Sequence, residues 1–377
     1  GAVDRVVLHP QLEQDDHNNP AFWVRPDGRY LAVYTKHGQD RIIRWRISEP
    51  GNPLAWGPEQ TLETPGTTGS FSGDSVTYSN VFKFPDGKLY DFHRSFDLDP
   101  NYVVSEDDGA TWRYGGRLLH GRDGYSPYLK YAYDGQGKLH FVATEDHPRN
   151  FDNSLYHGYV SEGQLYNSAG EQVAPLSTST EVSARAWDFT KLFAGDPDHV
   201  AWMCDIELDG DRRPCVAFTT QRDGRGLGRG EGGADMRFHL ARFDGAAWHS
   251  EEIAYAGTRL YPGEDDYTGL AALDPDDPTI VYISTDADPK SGAPLVSRAD
   301  GKRRHELYRG RREPGAAAWT WTPLTANSTG DNLRPIVPKR NNGQTALVWM
   351  RGEYRNNRGE WTTAVAAMPL EPLQETQ

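Results

Sequence analysis

Six times along the chain, two short runs of apolar and aromatic residues flank a tight turn built from Asp, Asn, Gly and Pro. The units begin near Ala21, Tyr78, Tyr128, Trp202, Leu270 and Arg334. Their turns read Pro26-Asp27-Gly28, Pro85-Asp86-Gly87, Asp134-Gly135-Gln136-Gly137, Asp209-Gly210, Asp274-Pro275-Asp276-Asp277 and Asn341-Asn342-Gly343. Strand-turn-strand patterning of this kind predicts β-hairpins. A further polar strand follows each hairpin, often with tryptophan, as at Trp45, Trp56, Trp112, Trp248, Trp319, Trp321 and Trp361. A unit of four short strands recurring every ~50–65 residues is a blade of a β-propeller. The expectation is therefore an all-β chain, a single propeller domain over residues 1–377 with four-stranded antiparallel blades. Six blades are legible, and the interval from Tyr128 to Trp202 is long enough to hide part of a seventh. Arg5 to Leu8 is expected to complete the last blade as a strand, closing the ring and removing free sheet edges.

Composition agrees with many short strands around large rings: 11 Trp, 19 Tyr and 39 Gly accompany a hydrophobic content of only 37%. No apolar run reaches the length of a membrane span, and no basic-then-apolar leader is visible. A net charge of −14 argues against nucleic acid and anionic membranes as partners. The same charge means that an anionic substrate would need a local basic cleft. Arg222 to Asp235 is Gly-rich and polar and is expected to be a mobile loop; no strand-to-helix context surrounds it to make a phosphate cradle.

Ser105-Glu106-Asp107-Asp108-Gly109-Ala110-Thr111-Trp112 matches the Asp-box, S-x-D-x-G-x-T-W, at every defined position. In this turn the aspartate accepts hydrogen bonds, the glycine takes the left-handed position and the tryptophan packs between strands. The motif supports the fold and carries no chemistry of its own.

The chemistry is concentrated at the open ends of the first two hairpins. His17 precedes the first strand and His37 follows the second, so a hairpin delivers both imidazoles to one edge. Tyr78 and Arg94 occupy the same places on the second hairpin: Gly28 lies nine residues after Asn19, and Gly87 nine after Tyr78. Two imidazoles, a phenol and a guanidinium on one rim form a proton-transfer and anion-binding set. Taken singly, each has a plainer explanation: a surface histidine, a blade aromatic, a surface ion pair. Their shared placement is what argues for a site.

The Asp15-Asp16-His17-Asn18-Asn19-Pro20-Ala21 run, the Tyr34-Thr35-Lys36-His37 run and the Tyr78/Arg94 pair together resemble the seven-bladed propeller polysaccharide lyases. These are the ulvan lyases and their relatives within the BNR/Asp-box superfamily, which act on rhamnosyl-uronate linkages. Asn153 to Tyr159 also resembles a recurring strand of that family. The resemblance implies seven blades and β-elimination at a uronate, giving a C4–C5 unsaturated product. It assigns Arg94 and His37 to neutralising the carboxylate and His17 to the general base. Tyr78 becomes the general acid, or the base for the other C5 epimer. Asn18, Asn19, Lys36, Asn80, His93 and Lys130 are candidate sugar contacts on the same rim, with a solvated surface as the plainer reading of the lysines.

Cys204 and Cys215 would face each other if Asp209-Gly210 were a two-residue turn. Buried thiols, a cross-strand disulfide, or half of a structural zinc site with His157 then compete. The resemblance implies a structural Zn2+ or Ca2+ and no cofactor in the reaction. The expected partner is an anionic polysaccharide, ulvan first, met by a monomer that is secreted or periplasmic. Three alternatives stand beside this: an exo-acting rhamnosyl-glucuronate lyase on gum or arabinogalactan side chains, a rhamnosidase- or sialidase-like propeller hydrolase, and a non-catalytic carbohydrate-binding propeller. A sialidase would need an arginine triad and a Tyr–Glu pair that the sequence does not assemble.

Overall fold

The computed structural model describes residues 4–66, 74–121, 126–228, 230–263, 267–313, 315–316, 318–356 and 359–371. Every sheet it contains grows from one of the hairpins read above. Six antiparallel sheets follow one another over residues 21–63, 77–117, 129–193, 200–257, 271–323 and 331–370. The innermost strand of each lies beside that of the next. Ala21–Val24 packs on Thr77–Lys83, Leu129–Tyr133 on Val200–Leu208, Val200–Leu208 on Ala271–Leu273, and Ala271–Leu273 on Asp331–Ile336. Between the second and third sheets, Phe82 meets Tyr131 and Tyr133 at ring-centroid distances of 6.1 Å. The fold is a six-bladed β-propeller.

Several expectations are corrected. The seventh blade is absent among the described residues. The long third interval instead adds Gln164–Asn167, Gln172–Pro175 and Thr190–Phe193 to one six-stranded sheet, the last pairing back on Leu155–Ser161. Blades are not uniformly four-stranded; the described strands number five, four, six, four, four and three. Arg5 to Leu8 forms no strand, and Val6 and Val7 face solvent at 39% and 74% exposure, so the last sheet keeps three strands. The two ends of the ring meet instead through side chains, Asp16 with Arg334 and Tyr354.

The Gly-rich stretch 222–235 is pinned rather than mobile where it is described; residue 229 lies outside the described residues. The Asp223 carboxylate accepts hydrogen bonds from the amides of Gly233, Ala234 and Asp235. The Arg259 guanidinium donates to the carbonyls of Gly230 and Gly232. The two cysteines are not opposed. The turn after Leu208 runs from Asp209 to Arg213, and a bulge between Met203 and Asp205 takes Cys204 out of register, leaving Cys215 across from Glu207. Both are free thiols in an apolar cluster, and burial pushes each up to about 12.

The Asp-box turn joins Pro100–Ser105 to Arg113–Arg117. Asp107 accepts from the Thr111 amide at 2.8 Å and the Thr111 hydroxyl at 2.7 Å, and the Gly109 amide donates to Ser105 Oγ at 2.7 Å. Gly109 sits at φ +85°, and a Cβ there would overlap the fully buried Leu31 side chain of the first blade. The turn therefore locks two blades together. Gly109→Ala must accept both a left-handed backbone and overpacking, so it should cost about 2–3 kcal/mol. A lowered urea midpoint with an unchanged slope is the expected reading, and an unshifted midpoint would refute it.

Candidate functional site

Local chemistry explains why the two hairpins present their open ends together. In the first, Ala21 pairs with Val33 through to Val24 with Tyr30, and Gly28 at φ +79° closes the turn. In the second, Thr77 pairs with Arg94, but the register shifts between Thr77 and Asn80. Tyr78 sits in that bulge at φ +66°, a conformation costly for a bulky residue and held by the surrounding ladder. The Asn80 side-chain amide secures it by donating to the Tyr78 carbonyl at 2.6 Å.

The four residues converge. The His17 and His37 rings stack with centroids 3.9 Å apart and planes inclined by 20°. The Tyr78 ring lies 5.8 Å from His17 and 6.3 Å from His37. The Arg94 guanidinium sits 4.9 Å above the Tyr78 ring and donates to the Tyr128 hydroxyl at 2.9 Å. Its Nε is buried without a partner, and among the described residues no carboxylate pairs with it. A half-buried guanidinium that lines a cavity with no paired carboxylate is a standing site for an anion.

Two carboxylates divide the histidines into unlike states. Asp15 bridges them: one oxygen contacts His17 Nδ1, the other His37 Nδ1 at 2.9 Å. Asp16 adds an ion pair to His17 Nδ1 at 2.9 Å. Burial alone would lower His17, but the two carboxylates outweigh it and raise its pKa above the usual 6.5. His37 goes the other way: burial, then the neighbouring His17 charge, depress it despite Asp15. Burial pushes Asp15 upward, yet its hydrogen bonds to the two histidines bring it down to about 2. Burial raises the Tyr78 phenol and outweighs the opposing pull of the Arg94 charge, keeping it protonated at neutral pH. One imidazole is thus predisposed to carry a proton and its stacked neighbour to stay neutral.

A cavity of about 310 Å³ opens at the propeller centre. Of the expected residues, His17, Tyr78, Arg94, Asn19, Asn80, His93 and Lys130 line it. His37 lies behind His17 and does not. Asn18 turns to Glu13 at 3.4 Å and Lys36 to Asp40 at 3.6 Å, so neither reaches the cavity. His93 lines it as a neutral group: burial drives it down to about 4, and burial likewise lifts its neighbour Asp91 to about 7. His157 sits in another sheet from the cysteines, bonded to His140 at 3.1 Å and Ser168 at 2.8 Å, so the three do not form one ligand set. Asp15, His17 and His37 do place donor atoms within 4.8 Å of one another. Hydrogen bonding accounts for that trio, and no ion is assigned to it.

Sequence reasoning missed Asp15, Asp16, Tyr128, Trp202, Tyr267 and Arg334 as site residues; all but Asp15 and Tyr128 would have needed contacts from distant blades to be seen. A signal was present nonetheless. Tyr78, Tyr128, Trp202, Leu270 and Arg334 each open a repeat unit, and all five line the cavity. Three of them, Tyr78, Leu270 and Arg334, share a left-handed backbone at φ +66°, +68° and +53°. The imidazole states are directly measurable. In a histidine-selective NMR titration, His17 should lose its proton above pH 6.5 and His37 below it, and Asp15→Asn should bring His17 down. Coincident titrations of the two rings would contradict the assignment.

No curated protein matches the chain in sequence. Among solved structures, an ulvan lyase from a new family of polysaccharide lyases superposes with a TM-score of 0.50 at 15% identity, over 95% of this chain and 71% of that one. The α-L-arabinofuranosidase of Fusarium graminearum, in complex with arabinobiose, gives 0.50 at 11% identity over 96% of both chains. The NanB sialidase of Streptococcus pneumoniae gives 0.50 at 10% identity over 98% of this chain and 70% of that one. At these identities the likeness is one of fold. A sequence model of the BNR repeat-containing family matches residues 4–256, two thirds of the chain and four of its six blades. The chain belongs to the BNR repeat-containing family.

Proposed function

We propose that this protein is a polysaccharide lyase that cleaves a rhamnose–uronate bond by β-elimination, with ulvan as the first substrate to test. The observation that carries the reading is Arg94, a half-buried guanidinium that no carboxylate among the described residues pairs with, beside an imidazole and a phenol on one cavity wall. A C5–H next to an ionised carboxylate is a poor acid. The guanidinium grips that carboxylate in bidentate fashion and disperses the charge that builds as the proton leaves. His17, once neutral, takes the C5 proton. The C4–O bond breaks as the C4–C5 double bond forms, and Tyr78 protonates the departing oxygen. The raised phenol favours this acid role over the base role.

His37 has a different part from the one the resemblance implied. Held neutral and off the cavity wall, it anchors Asp15 and stacks against His17, leaving carboxylate neutralisation to Arg94. A hydrolase reading is less well supported: the usual mechanism needs two carboxyl groups flanking the bond. Among the described lining residues Asp16 is the one carboxylate, and it is engaged by His17, Arg334 and Tyr354. A substrate of this size is met outside the cytoplasm, so a secreted or periplasmic monomer goes with the proposal.

Ultraviolet absorbance of a C4–C5 unsaturated uronate should appear on incubation with ulvan. Its absence there and with a rhamnosyl-glucuronate gum would end the lyase reading. Tyr78→Phe and Arg94→Met should each lower kcat/KM by about 10²–10⁴-fold. Because the base must first release its proton, kcat/KM should climb with pH on a limb set by His17, above 6.5. A limb at or below that pH would remove His17 from the base role.

A further inference from the structure

We propose that Arg334 is a positioning residue that shares Asp16 with His17 and thereby weakens the charge with which Asp16 stabilises the protonated imidazole. The inference rests on the lyase reading for its consequence in turnover, but its physical content is independent of it.

Arg334 comes from the far end of the chain. It opens the sixth blade at φ +53°, inside a register shift between Leu333 and Ile336, the same device that places Tyr78. Its Nη1 reaches Asp16 Oδ2 at 2.6 Å, while Asp16 Oδ1 is 2.9 Å from His17 Nδ1. The carboxylate is thus divided, one oxygen to each cation. The Tyr354 hydroxyl completes the arrangement: it donates to Asp16 Oδ2 at 2.6 Å and accepts from Arg334 Nη2 at 3.2 Å.

The charges around His17 show what this division does. Asp15 and Asp16 approach it from its own segment, neutral His37 from the first hairpin and Tyr78 from the second. Arg94 acts from behind Tyr78, and Arg334 with Tyr354 from the last blade. Two unshared carboxylates would keep His17 an imidazolium over most of the working pH range, which disables a base. One carboxylate balanced by a guanidinium orients the ring while letting the proton go. Arg334 does this through Asp16, and it does so where no closing strand is found among the described residues.

The test is the His17 titration in the intact chain, read by imidazole NMR. Arg334→Met should raise the His17 pKa by about 0.5–1 unit, since Asp16 then serves His17 alone. Asp16→Asn should lower it, and Arg334→Lys should restore a value near the parent. The acidic limb of kcat/KM on ulvan should move in the same directions. A folded Arg334→Met chain whose His17 titrates unchanged or lower would overturn the proposal. If that variant does not fold, Asp16→Asn decides: an unmoved His17 is equally fatal. Shifted titrations without turnover on ulvan or on a rhamnosyl-glucuronate gum would uphold the shared carboxylate and retire the lyase reading, so the two failures are distinguishable.

Discussion

Asp16 holds a cation from each end of the chain's ring. A carboxylate with a side chain only 10% exposed pays for its desolvation through partners, and here they are His17 of the N-terminal segment and Arg334 of the sixth blade. Burial would raise its pKa, yet these contacts drive it well below the ordinary carboxylate range. The same contact serves architecture and chemistry. It joins the ring where no strand among the described residues does, and it sets the charge beside the imidazole that faces the cavity. Both roles follow from a single fact: the segment before the first hairpin runs inward to the propeller centre instead of along its edge.

The centre is built by repetition with local deviation. In five of the six blades the inner strand begins at the cavity, so the first residue of the unit is placed there whatever its type. Three blades turn that residue with a left-handed backbone, and the identities differ: a phenol, an aliphatic side chain and a guanidinium. A repeated scaffold thereby offers a set of interchangeable positions, and the chemistry depends on which residues occupy them. Tyr128 and Trp202, at the corresponding points of the third and fourth blades, pack at 5.1 Å between ring centroids and form the wall beside Arg94.

Low dielectric separates groups that water would leave alike. Stacked 3.9 Å apart and sharing Asp15, the two histidines are still pushed in opposite directions, because only one has Asp16. His93, fully buried with only Asp91 beside it, a carboxyl that burial itself lifts to about 7, is driven down to about 4 and stays neutral. The candidate site is therefore a product of unequal pairing rather than of burial alone.

The sequence by itself determined the unit of construction, its six starting points, the Asp-box turn and the meeting of His17, His37, Tyr78 and Arg94. Those are local facts: turn residues, alternation, and the rule that a hairpin returns to where it began. It did not reveal the blade count against the resemblance, the open last sheet, the bulge that separates Cys204 from Cys215, or the removal of Lys36 and Asn18 from the cavity. Register shifts and side-chain direction depend on neighbours that a one-dimensional pattern does not name. Arg334 was visible as the start of a unit, but its meaning came only from Asp16, more than three hundred residues earlier, and ring closure alone brings the two together.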